Sequence, residues 1–235
     1  MSRLILLFLS IPFVLSAAPK CPEDFVRVER TPTVKNNHTS DWCFAVLALD
    51  RAGSRDWARG LCANYNYTLS IPESLEEFRL ISAYSKGVTA AAERDFNKTI
   101  TNLLIAVDGE FTPKCKAKMV RNWRYKPKKD KGECGLHQNL FSFDSSNTDP
   151  TFALDRNLEG YPNGRSESGF PGGISIARYA SCLAMDPDRY DSAEFKYEDI
   201  TNHTLHDGFF HLTWCDGSEG EEQNMFGVLC GGPPQ

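Results

Sequence analysis

The residues best equipped for chemistry are eight cysteines, a histidine series and one dense run of cations. The cysteines are Cys21, Cys43, Cys62, Cys115, Cys134, Cys182, Cys215 and Cys230. No two stand at the C-x-x-C spacing that gathers thiolates around zinc. An even count in an oxidising compartment instead implies disulfides throughout. The count alone leaves about 105 connectivities open. His203, His206 and His211 could ligate zinc, but a glycosylation sequon at Asn202 would crowd an ion there. The stretch Gly164-Arg165-Ser166-Glu167-Ser168-Gly169 imitates a nucleophile elbow without its second glycine in place. Glu198-Asp199 and Glu221-Glu222 are adjacent carboxylates, a poor spacing for paired acid–base work. No catalytic constellation emerges, and the chain is expected to bind rather than to be an enzyme.

The cations crowd between Lys114 and Lys131. Lys114, Lys116, Lys118, Arg121, Arg124, Lys126, Lys128, Lys129 and Lys131 face Asp130 alone, a local charge of +8, with Trp123 and Tyr125 among them. Such a patch could contact anionic, sulfated glycans, chiefly through Arg121, Arg124, Lys126, Lys128 and Lys129. The other reading is a solvated loop kept soluble by its charge. Residues 184–222 offset it with 11 acids and 2 bases. Over the whole chain 26 Lys and Arg meet 31 Asp and Glu, a net charge of -5. That balance excludes a general field for phosphate, so no nucleic-acid partner is expected.

These groups need elements to position them. The chain has 235 residues, 41% hydrophobic and 24% charged, which describes a folded protein. Arg3 precedes the apolar run Leu4 to Leu15, and Ser16-Ala17-Ala18 follow it. This reads as a secretion signal over residues 1–17, too short for a helix across ~30 Å of hydrocarbon. No membrane span is expected, and residues 18–235 read as one extracellular domain with an enlarged insert around 86–134. Sequons at Asn37, Asn66, Asn97 and Asn202 fit that route and mark candidate glycosylation sites. Trp42 to Leu49 reads as a strand, and Ser54 can cap a helix over 55–64. Leu69 to Pro72 is extended. Ser74 and Glu77 make a capping box for a second helix, with Leu75, Phe78 and Ile81 or Leu80 as its apolar stripe. No element is assigned between 86 and 102. Leu103 to Val107 reads as a buried strand, and 135–175 as a long loop. Ala180 to Met185 and Met225 to Cys230 read as late strands.

The order of these landmarks resembles a C-type lectin-like domain. Ala58-Arg59-Gly60-Leu61-Cys62, Leu69-Ser70-Ile71-Pro72 and Glu77 are similar to that family's opening helix pair. Phe141-Ser142-Phe143-Asp144 running to Gly160-Tyr161-Pro162-Asn163 is similar to its long loop. Cys182 to Met185, Gly208 to Cys215 and Val228-Leu229-Cys230 are similar to its closing strands. The resemblance covers roughly 21–230, with an enlarged middle like that of secreted invertebrate members. It implies an α+β fold in which two helices flank small antiparallel sheets beside a long loop. It also implies the bridges Cys62–Cys230 and Cys182–Cys215, with Cys21–Cys43 near the start and Cys115–Cys134 stapling the insert.

Sugar-binding members of the family hold calcium through oxygen side chains of two short motifs, Glu-Pro-Asn or Gln-Pro-Asp and Trp-Asn-Asp. Calcium needs 6–8 oxygen ligands. Here the first motif reads Tyr161-Pro162-Asn163 and the second Phe210-His211-Leu212. Asn163 alone survives as a matched ligand, so no cofactor is expected. Calcium returns only if Glu159, Asp207 or Asp216 rebuilds the site. The resemblance then implies a glycan ligand, or an extracellular protein, met by Tyr161, Pro162, Asn163, Phe210 and His211. Phe210 and Trp214 could instead alternate into the core beside Cys215.

Overall fold

The computed structural model describes residues 18–49, 53–97, 99, 104–121, 132–157, 180–187, 197–198, 204–205, 210–215 and 225–235. The first half runs β1 (Val26–Glu29), β2 (Asp41–Ala48), α1 (Arg55–Ala63), β3 (Thr68–Leu69), α2 (Leu75–Phe96) and β4 (Leu104–Phe111). The second half runs α3 (Pro113–Arg121), β5 (Phe141–Ser142), α4 (Thr151–Asn157), β6 (Ala180–Met185), β7 (Tyr197–Glu198), β8 (Thr204–Leu205), β9 (Phe210–Trp214) and β10 (Met225–Gly232).

One sheet dominates, in the order β1-β2-β10-β4-β6-β9, with β3 beside β10 and β5 beside β4. Its neighbours are antiparallel except β10 and β4, which run parallel. Strand alternation sends successive side chains to opposite faces, and both faces are buried here. Trp42, Phe44 and Val46 of β2, Ile105 and Val107 of β4, and Leu229 of β10 join Phe78 and Ile81 of α2 in one cluster. Cys43, Ala45, Ala106, Val228 and Cys230 point the other way, toward Ala58 and Cys62 of α1. Two-sided burial explains why these strands read as unbroken apolar runs. Gly231 fits because a Cβ there would stand 2.5 Å from Trp42 Nε1, whose N–H donates to Ser70 Oγ at 3.0 Å.

Ser54 accepts from the Trp57 N–H, as its capping role requires. Ser74 accepts from the Glu77 N–H, while the Glu77 carboxylate accepts from the Glu73 N–H, one residue outside the usual box. The apolar stripe takes Ile81, and Leu80 lies 42% exposed.

Three sequence expectations need correction. The second helix continues through 86–96, where no element was expected. Its inner face there is built from Ser85, Val88 and Ala92, and Ser85 and Thr89 bond back to the carbonyls of Ile81 and Ser85. The buried strand runs on to Phe111 through Asp108 and Gly109, with a register shift between Ala106 and Glu110. The loop over 135–175 contains β5 and α4. Residues 86–96 and 104–111 thus belong to α2 and the central strand β4. The bridges Cys21–Cys43, Cys62–Cys230, Cys115–Cys134 and Cys182–Cys215 are those the resemblance implied.

Candidate binding site

The connection from β4 to β6 is the long one, and two buried charge clusters hold its stem. The first grows from Asp108, which the β4 register places in the interior with its side chain 0% exposed. Its Oδ1 accepts from Arg55 Nη2 (3.0 Å), the Gly109 N–H (2.8 Å) and the Asp144 N–H (2.9 Å). Its Oδ2 accepts from the N–H groups of Asp144 (2.9 Å) and Ser145 (3.0 Å). Arg55 opens α1, is 2% exposed and also donates to the Val107 carbonyl at 2.7 Å. Arg59, one turn on, reaches Asp144 Oδ2 at 2.7 Å and Glu110 Oε2 at 3.2 Å. Gly109 (φ 123) lets the backbone turn its N–H onto Asp108. Burial pushes the Asp108 carboxyl up and the Arg55 guanidinium down, each toward its neutral form. The pair therefore fixes geometry more than it adds stability. At Asp144 burial works upward too, but the Arg59 bonds and the two guanidinium charges outweigh it and hold that carboxyl below its ordinary range.

The second cluster grows from Arg30, buried just after β1 with its guanidinium 4.2 Å from the Trp42 ring centre. It donates to Glu73 Oε1 (3.0 Å), to Glu77 and to the Ile71 carbonyl (3.2 Å). Glu73 in turn accepts from the Asp149 N–H at 2.8 Å and from Asn36 Nδ2 at 2.9 Å. Burial raises the Glu73 carboxyl against the pull of Arg30. Lys35 Nζ meets Thr151 Oγ1 at 2.6 Å. Asp108 and Glu73 thus clamp the chain at 144–145 and at 149. This fixes the base of the long connection. Apart from Nε of Arg30 and of Arg55, which find no hydrogen-bond acceptor, the two guanidinium groups are engaged, and such a buried polar network tends to specify one conformation.

The residues expected to meet ligand fare differently. Tyr161, Pro162 and Asn163 lie outside the described residues, as do Glu159, Asp207 and Asp216. Phe210 is a correction: it is 1% exposed and packs against Phe78 and Phe152, ring centres 5.8 and 6.3 Å away. It is a core side chain, as β-strand alternation allows. His211 takes its place in the ladder opposite Ala184, and Trp214 opposite Ala180. Arg121 closes α3, while Arg124, Lys126, Lys128 and Lys129 lie outside the described residues. Lys114 pairs with Glu133 and holds its carboxyl below the ordinary range, and Lys118 stands 3.8 Å from it. Glu133 therefore tempers the cationic run from just beyond its end. Asn37, Asn66 and Asn97 are exposed, each with a left-handed backbone (φ 52, 58 and 49), and Asn202 lies outside the described residues.

The familiar calcium donors do not fit at the second motif. Phe210 is buried in the core and Leu212 has no side-chain oxygen. Among the described residues, the group that brings potential ligand atoms within 4.8 Å is Glu110, Cys182 and Cys215, whose sulfurs are spent in their bridge. Among the described residues no helix is long and apolar enough to cross a membrane.

A disulfide-stapled α+β sheet with helices on both faces and a long clamped connection defines a C-type lectin-like domain. The model of the C-type lectin domain-containing protein 141/158 family matches residues 27–233, and the chain belongs to that family. C-type lectin domain-containing protein 158 of Caenorhabditis elegans is 23% identical over 222 residues, covering 93% of this chain and 90% of that protein. Among solved structures, the cow C-type carbohydrate-recognition domain of CD23 is 13% identical with a TM-score of 0.44, covering 93% of this chain and 99% of that one. Human lithostathine is 12% identical with a TM-score of 0.43, covering 94% and 99%. The calcium-independent type II antifreeze protein is 14% identical with a TM-score of 0.41, covering 93% and 98%.

Proposed function

We propose that this is a secreted binding domain, not an enzyme, and that it recognises carbohydrate through its long connection without the usual calcium site. The observation that carries the reading is the sequence Phe210-His211-Leu212, which puts no carboxylate or carboxamide where sugar-binding members keep ion ligands. A sugar must then be met by hydrogen bonds and aromatic faces, for which Tyr161, Pro162 and Asn163 are the candidates. The leader over 1–17, the four bridges and the sequons support export of residues 18–235 as one domain. The same missing oxygens favour a second reading, recognition of an extracellular protein on the same scaffold.

A glycan array read with and without a chelator tests the choice. The expected result is binding that the chelator leaves unchanged. Chelator-sensitive mannose or galactose binding overturns the calcium statement, and silence across the array favours the protein ligand.

The cationic run supports an auxiliary contact with sulfated glycans. An Arg124→Ala/Lys126→Ala/Lys128→Ala variant should leave a heparin column at clearly lower salt than the parent, because screening acts over ~8 Å at physiological ionic strength. Unchanged elution refutes that contact.

A further inference from the structure

We propose that Asn37 carries an N-linked glycan whose first sugar lies against the stem of the long connection at Asn147 and helps to hold it. The proposal rests on the export reading above. Asn37-His38-Thr39 is a sequon at the tip of the β1–β2 turn, and Asn37 is exposed. Attachment forms a bond from Asn37 Nδ2 to the anomeric carbon of a lipid-diphosphate-linked oligosaccharide. The bond from that carbon to the diphosphate oxygen breaks, and the amide gives up one proton as the lipid diphosphate leaves. Transfer takes place on the unfolded chain, so the folded surface has only to accommodate the product.

The turn does more than accommodate it. Asn37 and His38 are both left-handed (φ 52 and 57), a costly pair for non-glycine residues. Buried Asn36 holds them there, donating to the Thr31 carbonyl (3.0 Å) and to Glu73 (2.9 Å) and accepting the Thr33 N–H (2.8 Å). The sugar's root is therefore fixed. Asn37 Nδ2, the atom that takes the sugar, donates to Asn147 Oδ1 at 3.1 Å. Among the described residues it is the sequon asparagine whose side-chain amide reaches the long connection. A glycosylated Nδ2 keeps one hydrogen, so this bond can persist while the first sugar extends beside 145–151. Glu73 links the two sides of that contact, because it also accepts the Asp149 N–H.

The test uses the full chain made in a secreting eukaryotic cell. Peptide mass mapping reads occupancy at Asn37, and amide hydrogen exchange reads peptides over 145–151. Thr39→Ala removes the sequon while leaving Asn37 in place, and Thr99→Ala removes the Asn97 sequon as a control. Asn37 should be occupied in the exported protein. Thr39→Ala should lose that glycan and speed exchange at 145–151 by about 3- to 10-fold, the effect of one net hydrogen-bonded contact on an opening equilibrium. Core peptides in β2 should stay unchanged, as should 145–151 in Thr99→Ala. Exported protein with Asn37 bare overturns the proposal, as does equal exchange in parent and Thr39→Ala. A chain retained in the cell with every sequon bare overturns the export reading and this proposal with it.

Discussion

Replacing Cys62 and Cys230 together by alanine should lower the free energy of unfolding by about 5 kcal/mol, and replacing Cys115 and Cys134 by about 3 kcal/mol. The difference follows from the lengths of chain closed, 168 residues in the first case and 19 in the second. The larger loop contains the Cys115–Cys134 and Cys182–Cys215 bridges, which shorten its free path. The logarithmic dependence on length makes that correction small. All four sulfurs are buried, so alanine leaves comparable small voids in both variants and the comparison isolates the closure term. Cys62 lies on α1 and Cys230 on β10, so the first bridge also ties one helix face to the centre of the sheet. Against a typical stability of about 5–15 kcal/mol, the first variant stands near the edge of folding and the second does not. Denaturant midpoints at fixed temperature measure both. Equal losses in the two variants would show that native-state strain or residual unfolded structure, rather than closure entropy, governs these bridges.

What the sequence made legible was local or carried by the resemblance. Ser54 and the Ser74–Glu77 pair announce helix starts because a cap acts within one turn. The disulfide pairing came from the order of cysteines matched to a known pattern, not from the count. The second half of α2 was illegible because Ser85, with its hydroxyl bonded back into the helix, and Ala92 give no apolar period, although both face inward. Asp108 hid for the opposite reason. A charged residue beside glycine ends a strand by composition, and only the tertiary partners Arg55, Asp144 and Ser145 make its burial tolerable. Asp149-Pro150 ahead of α4 was a usable sign of a helix start inside the supposed loop, since Asp149 accepts from the Thr151 N–H at 2.9 Å. Phe210 shows the limit of motif transfer. Its position before Cys215 suggested ligand contact, while strand alternation sets it in the core against Phe78.

Asp108→Ala should cost about 3–5 kcal/mol, because it leaves the N–H groups of Gly109, Asp144 and Ser145 without their acceptor and takes from the buried Arg55 its nearest carboxylate, with Glu110 and Asp144 remaining at 3.6 and 3.7 Å. Exchange at 144–145 should rise with it, as the stem of the long connection comes loose. Asp108→Asn should lose less than half as much. It keeps one acceptor oxygen and resembles the protonated acid that burial favours, though its NH2 meets one of the two N–H groups now on Oδ2. The pH dependence carries the sign. The folded carboxyl sits above its unfolded value of about 3.9. The stability it contributes is therefore full below that pH and declines as pH rises toward the folded value. The asparagine variant has no such decline, so it should gain on the parent as pH rises above about 4. A gap that widens with rising pH would mean that Arg55 and the three backbone N–H groups more than offset burial. Asp108 would then be a source of stability in its own right as well as the clamp on the loop.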